Sequence, residues 1–593
     1  MSSRILAIAL TSSAILAGPV YADDDEFDDW MLGVYPIGHL ALAPAANDQT
    51  RIAKLAAYDP PSAKLLVIDG LNGLVRVDLS DPELPQEVGT PTDIGAAIFD
   101  DTGRPAGDAN AIGISNGLAA IAVSAEPATD NGFVAFYQAD GSYLLSCEVG
   151  PAPTMLTFSE DGTRLVVANE GTPDQAEDPE GSVSVIDVDA VILDGTCAAA
   201  VETAGFERFN KSRKALKKEG VRLFPGTKVA NDLEPEHVAV SKNGKTAWVT
   251  LQEANAMARV DLRKAKVRDI IPLGVKDHSK PGNGIDASNT DKKARIRKWP
   301  VSGMYMPDAV STFKMSGSDF KAYRKKHAPK GVRTRGKLGK TFLITANEGS
   351  NRGESTPAAK VTLDKKAYPD RKELQGRNAL GGLKVSTIDG DTDGDGDIDQ
   401  LHAYGARSFS IWNGYGELVF DSGDFLAREI ADEFPDMFKG TDPSGEYDSS
   451  DSGAEPDSVV IAEIHGRTYA FIGLEGVGGV MVFDITEAWD PEFVQFVWSG
   501  VDITPEDLLV IGADDSPIDD PLLVVTHADS NLILVYQIGL FTEDDEFLFE
   551  DFDFETIDFE DFEFEDDDED DEDEDEDEDD EEEDDDEDED EKI

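Results

Sequence analysis

Cysteine is nearly missing from this chain, with only Cys147 and Cys197 in 593 residues. That scarcity excludes a small disulfide-dense scaffold and any multi-thiolate metal cluster. The two can pair if the chain meets an oxidising compartment, although spacing alone does not bring their Cα atoms within bonding range. Positive charge is also short: 52 Lys and Arg face 122 Asp and Glu, a formal net charge of -70. Nucleic acid and anionic membrane are thereby excluded as partners, which leaves calcium, cationic or mineral surfaces, or another surface protein. After the first two dozen residues no apolar run is long enough to cross a bilayer, so no transmembrane segment is expected. Histidine is sparse and scattered, with seven in all. No Walker loop, HExxH, CxxC or GxSxG nucleophile elbow is read, and catalytic residues stay unknown at this point.

What is present begins with a leader. Arg4, an apolar stretch from Ile5 to Leu16, and small residues at Val20 and Ala22 ahead of Asp23-Asp24-Asp25-Glu26 fit a signal peptide over 1–22, cleaved after Ala22. The mature protein is expected to be secreted, extracellular or periplasmic, or associated with a cell surface.

The body repeats one template seven times: a β-rich strand ending in an acid, a turn, and a returning strand that often ends in Asp. The terminal acids are Asp69, Glu126, Glu170, Glu253, Glu348, Glu475 and Asp529. Returning strands include GLVRVDL at 73–79, GSVSVIDV at 181–188, GLKVSTID at 382–389 and GVMVFDI at 479–485. Upstream strands precede some copies, as at Glu234-Pro-Glu-His-Val-Ala-Val and Glu455-Pro-Asp-Ser-Val-Val-Ile. Three or four short strands per copy predict an all-β, seven-bladed β-propeller over 23–540 with long loop insertions, since radial repetition protects sheet edges. A pair of β-sandwiches is the competing arrangement. The insertions 206–228 and 277–340 are rich in Lys and Arg, either as solvated loops or as a surface for anions or for the chain's own tail.

Two features carry chemistry. The run Asp391-Thr-Asp393-Gly-Asp395-Gly396-Asp397-Ile398-Asp399 reproduces a calcium loop of the EF-hand type, with oxygen donors at alternate positions and Gly396 at the sharp turn. Asp391, Asp393, Asp395, Asp397 and Asp399 are the candidate ligands and Ca2+ the expected ion. His402 stands where the closing Glu belongs, so the last ligand has to come from elsewhere. The second feature follows from the repeat: the seven terminal acids could ring one opening, holding cations or acting as general acids and bases. Alternatively, each accepts backbone N–H groups at its own turn.

The C-terminus has two parts, units of Phe alternating with acids over 541–565 and a polyacidic run over 566–593 that is expected to be disordered. From Thr542 onward there are 39 acidic residues and one Lys.

ANEGTPD at 168–174, DLEPEHVAVS at 232–241, TANEGSNRGE at 345–354, GARSFSIWN at 405–413 and RTYAFIGLEGVGGVMVFDIT at 467–486 together resemble the choice-of-anchor I family. That family is similar to the mesenchyme-specific cell-surface glycoproteins of biomineralising animals. The resemblance implies an extracellular propeller, whose members differ mainly in the C-terminal device that holds them at a surface; here the acidic tail stands in that place. Two functions are compatible with these features. One is a calcium-binding surface or matrix interaction protein associated with cations or mineral. The other is a calcium-dependent phosphoesterase, alkaline-phosphatase-like or phytase-like, working at a carboxylate-lined propeller mouth.

Overall fold

The computed structural model describes residues 30–45, 50–174, 177–290, 293–434, 451, 453–498, 504–527 and 531–542. The leader, Asp529, the Phe units and the polyacidic run lie outside the described residues.

Among the described residues the strands form eight sheets, mostly four-stranded and antiparallel. The second strand of each repeat, such as Lys64–Asp69 or Phe342–Asn347, is buried along nearly its whole length. These strands are runs of Leu, Val, Ile and Ala because both faces are covered by neighbouring sheets. One core, for example, joins Val166 and Val185 of one sheet to Val249 and Ala258 of the next.

The first strands stand side by side in chain order: Ala53–Asp59, Ala106–Ser115, Pro153–Phe158, Val238–Val240, Val310–Phe313, Pro456–Ile464 and Pro505–Ile511, the last returning to touch the first. Polar links stitch neighbours together. Asn110 donates to the Pro153 carbonyl at 2.9 Å, Thr154 to Glu236 at 2.9 Å, Thr312 to Val240 at 2.9 Å and Ser311 to Val459 at 3.0 Å. The Ala56 N–H donates to the Asp507 carboxylate at 2.9 Å and closes the circuit. Sheets arranged radially around a common axis in this way make a β-propeller.

The first and last described strands complete one sheet together: Trp30–Ala41 lies antiparallel to Leu532–Thr542, from Trp30 opposite Thr542 to Ala41 opposite Leu532. The closing strand therefore runs two residues beyond the boundary expected at 540.

Two positions share an internal device. Asn169 and Asn347, both fully buried, end corresponding strands. Asn169 donates to the hydroxyls of Ser182 and Ser184 at 3.1 and 3.0 Å, and Asn347 to Ser410 at 2.8 Å. Each buried amide thereby places its N–H donors on serine hydroxyls, where an unpartnered buried donor would cost about 1–3 kcal/mol.

One expected strand is misplaced. The partner of Phe342–Asn347 is Ser408–Asn413, not GLKVSTID. Lys384–Ser386 belongs instead to a five-stranded inserted sheet with Val275–Asp277, Ser302–Met304, His402–Ala403 and Ser355–Pro357. A long insertion separates the true partners, and the nearest strand-like string downstream carries the same pattern. The insertion starts and ends at one close crossing. A Cβ on Gly405 would meet the Glu348 carbonyl at 1.7 Å, and Gly405 and Gly349 both have positive φ.

Cys147, on Tyr143–Pro151, and Cys197, after the helix Val188–Asp194 of the next sheet, form a disulfide with Cα atoms 5.3 Å apart.

Candidate functional site

The acidic loop leaves the inserted sheet after Ser386 and returns at His402. Carboxylate oxygens of Asp391, Asp393 and Asp395 all lie within 4.8 Å of one another on an exposed surface. The turns that gather them are self-made. Asp391 accepts the N–H groups of Gly394 at 2.6 Å and Gly396 at 3.1 Å, and Asp395 accepts that of Asp397 at 3.0 Å. Gly394 and Gly396 adopt φ of 84° and 94°, which glycine reaches without a Cβ penalty. Asp399 is not among the converging trio and braces the loop instead: it accepts the Thr392 hydroxyl at 2.6 Å and N–H at 2.9 Å, which hold its carboxyl below the usual range.

Arg222, from the first basic insertion, fixes the root of this loop. Its Nε donates to Asp389 at 2.7 Å, a terminal nitrogen pairs with Glu354, and Nη1 donates to the Glu253 carbonyl at 3.2 Å. Tyr404 adds a hydroxyl to Glu354 at 2.9 Å. Burial opposes charge on Asp389 and Glu354, but pairing with Arg222 outweighs it and holds both carboxyls below their usual range. Arg352 plays a parallel part, pairing with Asp232 and Glu234 while its guanidinium lies 4.4 Å from the Phe224 ring centroid. The guanidinium of Arg222 lies 4.6 Å from the same centroid.

Beside these arginines lies the mouth of the propeller. Oxygens of Asp308, Glu348 and Asp457 come within 4.8 Å of one another, and Asp308 and Asp457 share a hydrogen bond that needs a proton on one of them. Glu170, Glu234, Glu236 and Glu253 continue the cluster. Burial, and then mutual repulsion, pushes Glu236, Asp308 and Glu348 well above the usual carboxyl range and Asp457 to about 7. Glu234 rises to about 9 for the same reasons, against the pull of Arg352.

Of the seven repeat acids, Glu170, Glu253, Glu348 and Glu475 therefore interact at one opening. Asp69 instead accepts the N–H groups of Leu71 and Gly73 at 3.0 and 2.7 Å and lies 3.5 Å from Arg51, the local role of a turn acid. Repeat reading missed the upstream acids Glu236, Asp308 and Asp457. A Pro followed by an acid at or just ahead of the start of those strands, in Glu234-Pro-Glu236, Met306-Pro-Asp308 and Glu455-Pro-Asp457, was the available signal.

The string Gly113-Ile-Ser115-Asn-Gly117 matches GxSxG letter for letter and was overlooked. It is a hairpin tip, with Ser115 opposite Leu118 and left-handed Asn116 and Gly117, not a strand-to-helix elbow. His237 accepts the Val310 N–H at 3.4 Å, in keeping with a structural role, whereas Nδ1 of His402 is buried without a hydrogen-bond partner.

The fold thus defines a β-propeller with an inserted sheet over an acidic mouth. The model of the choice-of-anchor I domain matches residues 54–322 and 327–488, and the chain belongs to that family. Relatives include the mesenchyme-specific cell surface glycoprotein of Strongylocentrotus purpuratus, 26% identical over 278 residues, which are 43% of this chain and 35% of that protein. Gigasin-3a of Magallana gigas is 27% identical over 184 residues, 27% of this chain and 64% of that protein. The matched regions therefore span less than two thirds of either relative. Among solved structures, the WD40 domain of Toxoplasma gondii coronin aligns with a TM-score of 0.40 at 9% identity, covering 87% of this chain and 88% of that one. Kuenenia stuttgartiensis hydrazine synthase aligns with a TM-score of 0.37 at 11% identity, covering 83% and 95%. The propeller assignment rests on strand order rather than on these two. Among the described residues no helix is long and apolar enough to cross a membrane.

Proposed function

We propose that the chain is an exported, seven-bladed propeller that binds calcium through Asp391, Asp393 and Asp395 and acts as a surface or matrix interaction protein. The observation that carries this reading is the convergence of three exposed carboxylates within 4.8 Å on a loop whose root is fixed by Arg222. Exposed like charges held this close repel one another, and a hard cation with six to eight oxygen ligands relieves that repulsion. Asp397 lies next in the loop and Asp399 serves its geometry through Thr392. Asp364, whose N–H donates to the Ile398 carbonyl at 3.0 Å and whose charge acts on Asp397, is an acid from outside the loop that can stand in for the absent closing Glu. The blade count is supported by the ring of neighbouring first strands. Export and surface residence are supported by the leader-like N-terminus, by family membership and by a relative named as a cell surface glycoprotein.

The phosphoesterase reading needs a basic group free to neutralise phosphate beside the mouth. Arg222 and Arg352 lie there, and each already faces two carboxylates. The interaction role is therefore favoured. The test compares adsorption of purified protein to calcium carbonate and calcium phosphate, with and without free calcium, against turnover of p-nitrophenyl phosphate. Calcium-dependent adsorption without turnover is expected; calcium-dependent turnover would overturn the assignment.

A further inference from the structure

We propose that the propeller mouth holds a second hard divalent cation of the calcium class, bound between Asp308, Glu348 and Asp457 with Glu253 supplying a further oxygen. It is separate from the loop site and does not depend on the loop binding calcium. Two independent observations support it. The first is convergence: three carboxylates from two adjacent sheets bring oxygens within 4.8 Å. The second is an unmet polar atom. Oε2 of Glu253 is buried and has no hydrogen-bond partner, on a residue only 7% exposed that faces Asp308, Glu236 and Glu170. A buried acceptor left without a partner costs about 1–3 kcal/mol, more if charged, so an oxygen in that position calls for a ligand.

Apart from the hydrogen bond that Asp308 and Asp457 share, few partners among the described residues satisfy these groups. Gln252 gives Glu348 a single hydrogen bond of 2.8 Å, and Arg352 is engaged by Asp232 and Glu234. The donor set is all oxygen, without His or Cys, which disfavours zinc, and magnesium seldom gives up its water to an all-protein cage. A bound ion would join three successive sheets: Glu253 follows Thr246–Leu251, Asp308 precedes Val310–Phe313, and Asp457 lies in Pro456–Ile464. It would also fix Glu348, the first residue of the long insertion.

The experiment uses the full chain carrying Asp393→Ala and Asp395→Ala, which removes the loop trio. After dialysis against calcium and then calcium-free buffer containing salt, retained ions are counted by mass spectrometry and the thermal midpoint is read before and after adding calcium. We expect this protein to retain one ion per chain and to keep a calcium-dependent rise in midpoint. Adding Asp308→Asn with Asp457→Asn should abolish both. Neutralising crowded acids relieves repulsion, so that variant is expected to fold, as circular dichroism would check. Glu253→Gln is the milder second variant and should weaken the retained calcium by roughly tenfold or more. Loss of all retained calcium in the loop variant, or an unchanged ion count in a folded Asp308→Asn, Asp457→Asn protein, would overturn the proposal. So would unchanged affinity in Glu253→Gln. Failure of the loop variant to lose its own ion would count against the loop site alone.

Discussion

Nε of Arg222 donates to the Asp389 carboxylate at 2.7 Å across 167 residues of sequence, tying a basic insertion to the root of the acidic loop. The same guanidinium pairs with Glu354 and reaches the Glu253 carbonyl, so one side chain connects the loop with the mouth. Its own side chain is 3% exposed, and those of Glu354 and Asp389 are 12% and 23%.

Arg222→Ala should therefore strand two partly buried carboxylates. With some solvent screening at Asp389, we expect a loss of about 2–4 kcal/mol in urea unfolding. Arg222→Lys should recover only part, because an ammonium cannot serve both carboxylates in the fork geometry of guanidinium. Calcium affinity measured by calorimetry should fall in Arg222→Ala as the loop loses its anchor. Unchanged affinity would show that the loop holds its shape alone.

Replacing Asp393 and Asp395 by Ala should remove the calcium-dependent stabilisation contributed by the loop. An ion bound only to the folded state stabilises by mass action, about 2.7 kcal/mol at a hundred times its Kd. The midpoint rise with added calcium should shrink in the double variant, and the midpoint without calcium should not fall. A rise equal to that of the unmodified chain would remove the loop from the list of ligands.

His278 gives a pH prediction. It is 1% exposed, its Nδ1 lies 2.8 Å from the Asn283 carbonyl, and burial, then the nearby Lys276 and Arg407, push it down to about 3 against the weaker pull of the Asn283 hydrogen bond and of Asp421. The unfolded chain binds this proton near 6.5 and the folded chain resists it. The contribution is thus fully present above pH 6.5 and is lost as pH falls toward 3. His278→Gln keeps a donor for Asn283 and does not titrate. The stability gap between the unmodified chain and this variant should be larger at pH 7.5 than at pH 5, measured by urea unfolding; equal gaps would contradict the assignment.

The propeller was legible because each blade repeats the same buried strand and turn, as LVVANE and LITANE do at Asn169 and Asn347. The convergence of Asp391, Asp393 and Asp395 was legible because their spacing is local. What could not be read was long-range. Nothing near Phe342–Asn347 in sequence reveals that its partner waits beyond the insertion at Ser408–Asn413. The mouth shows the same limit: Glu348 was found from its repeat, whereas Asp308 and Asp457 stand at strand starts where only closure of the ring brings them together. Arg222 belonged to a stretch read as solvated or anion-binding, and its burial against Asp389 depends on the inserted sheet.

The Cys147–Cys197 bridge, at a sequence separation of 50, joins two neighbouring sheets. Closing a loop of that length restricts the unfolded chain, a stabilisation of about 2–4 kcal/mol in the chain-entropy account. The Cys147→Ser, Cys197→Ser variant should unfold at lower urea than the parent, and reductant should lower the parent's midpoint but not the variant's. A reductant effect that persists in the variant would point to another cause.

The tail lies outside the described residues, but pairing of Trp30 with Thr542 fixes where it can be cut. A deletion starting at 541 would remove part of the closing strand, so the informative truncation is of residues 543–593. Those residues carry 39 acids against one Lys, while the body keeps exposed basic side chains such as Lys228 and Lys242, whose carboxylate partners lie at 3.8 and 3.4 Å. A tethered polyanion is present at high effective concentration and should compete for such side chains at low salt, letting go as the Debye length shrinks to about 8 Å near physiological salt. The truncated protein should keep its unfolding midpoint, lose most weak calcium capacity in equilibrium dialysis and bind heparin at low salt more tightly than the full chain. Added calcium should bring the full chain's heparin binding toward that of the truncated form, because neutralised carboxylates no longer compete. If truncation lowers the midpoint, or leaves both calcium capacity and heparin binding unchanged, the tail is not the cation-responsive arm of this propeller.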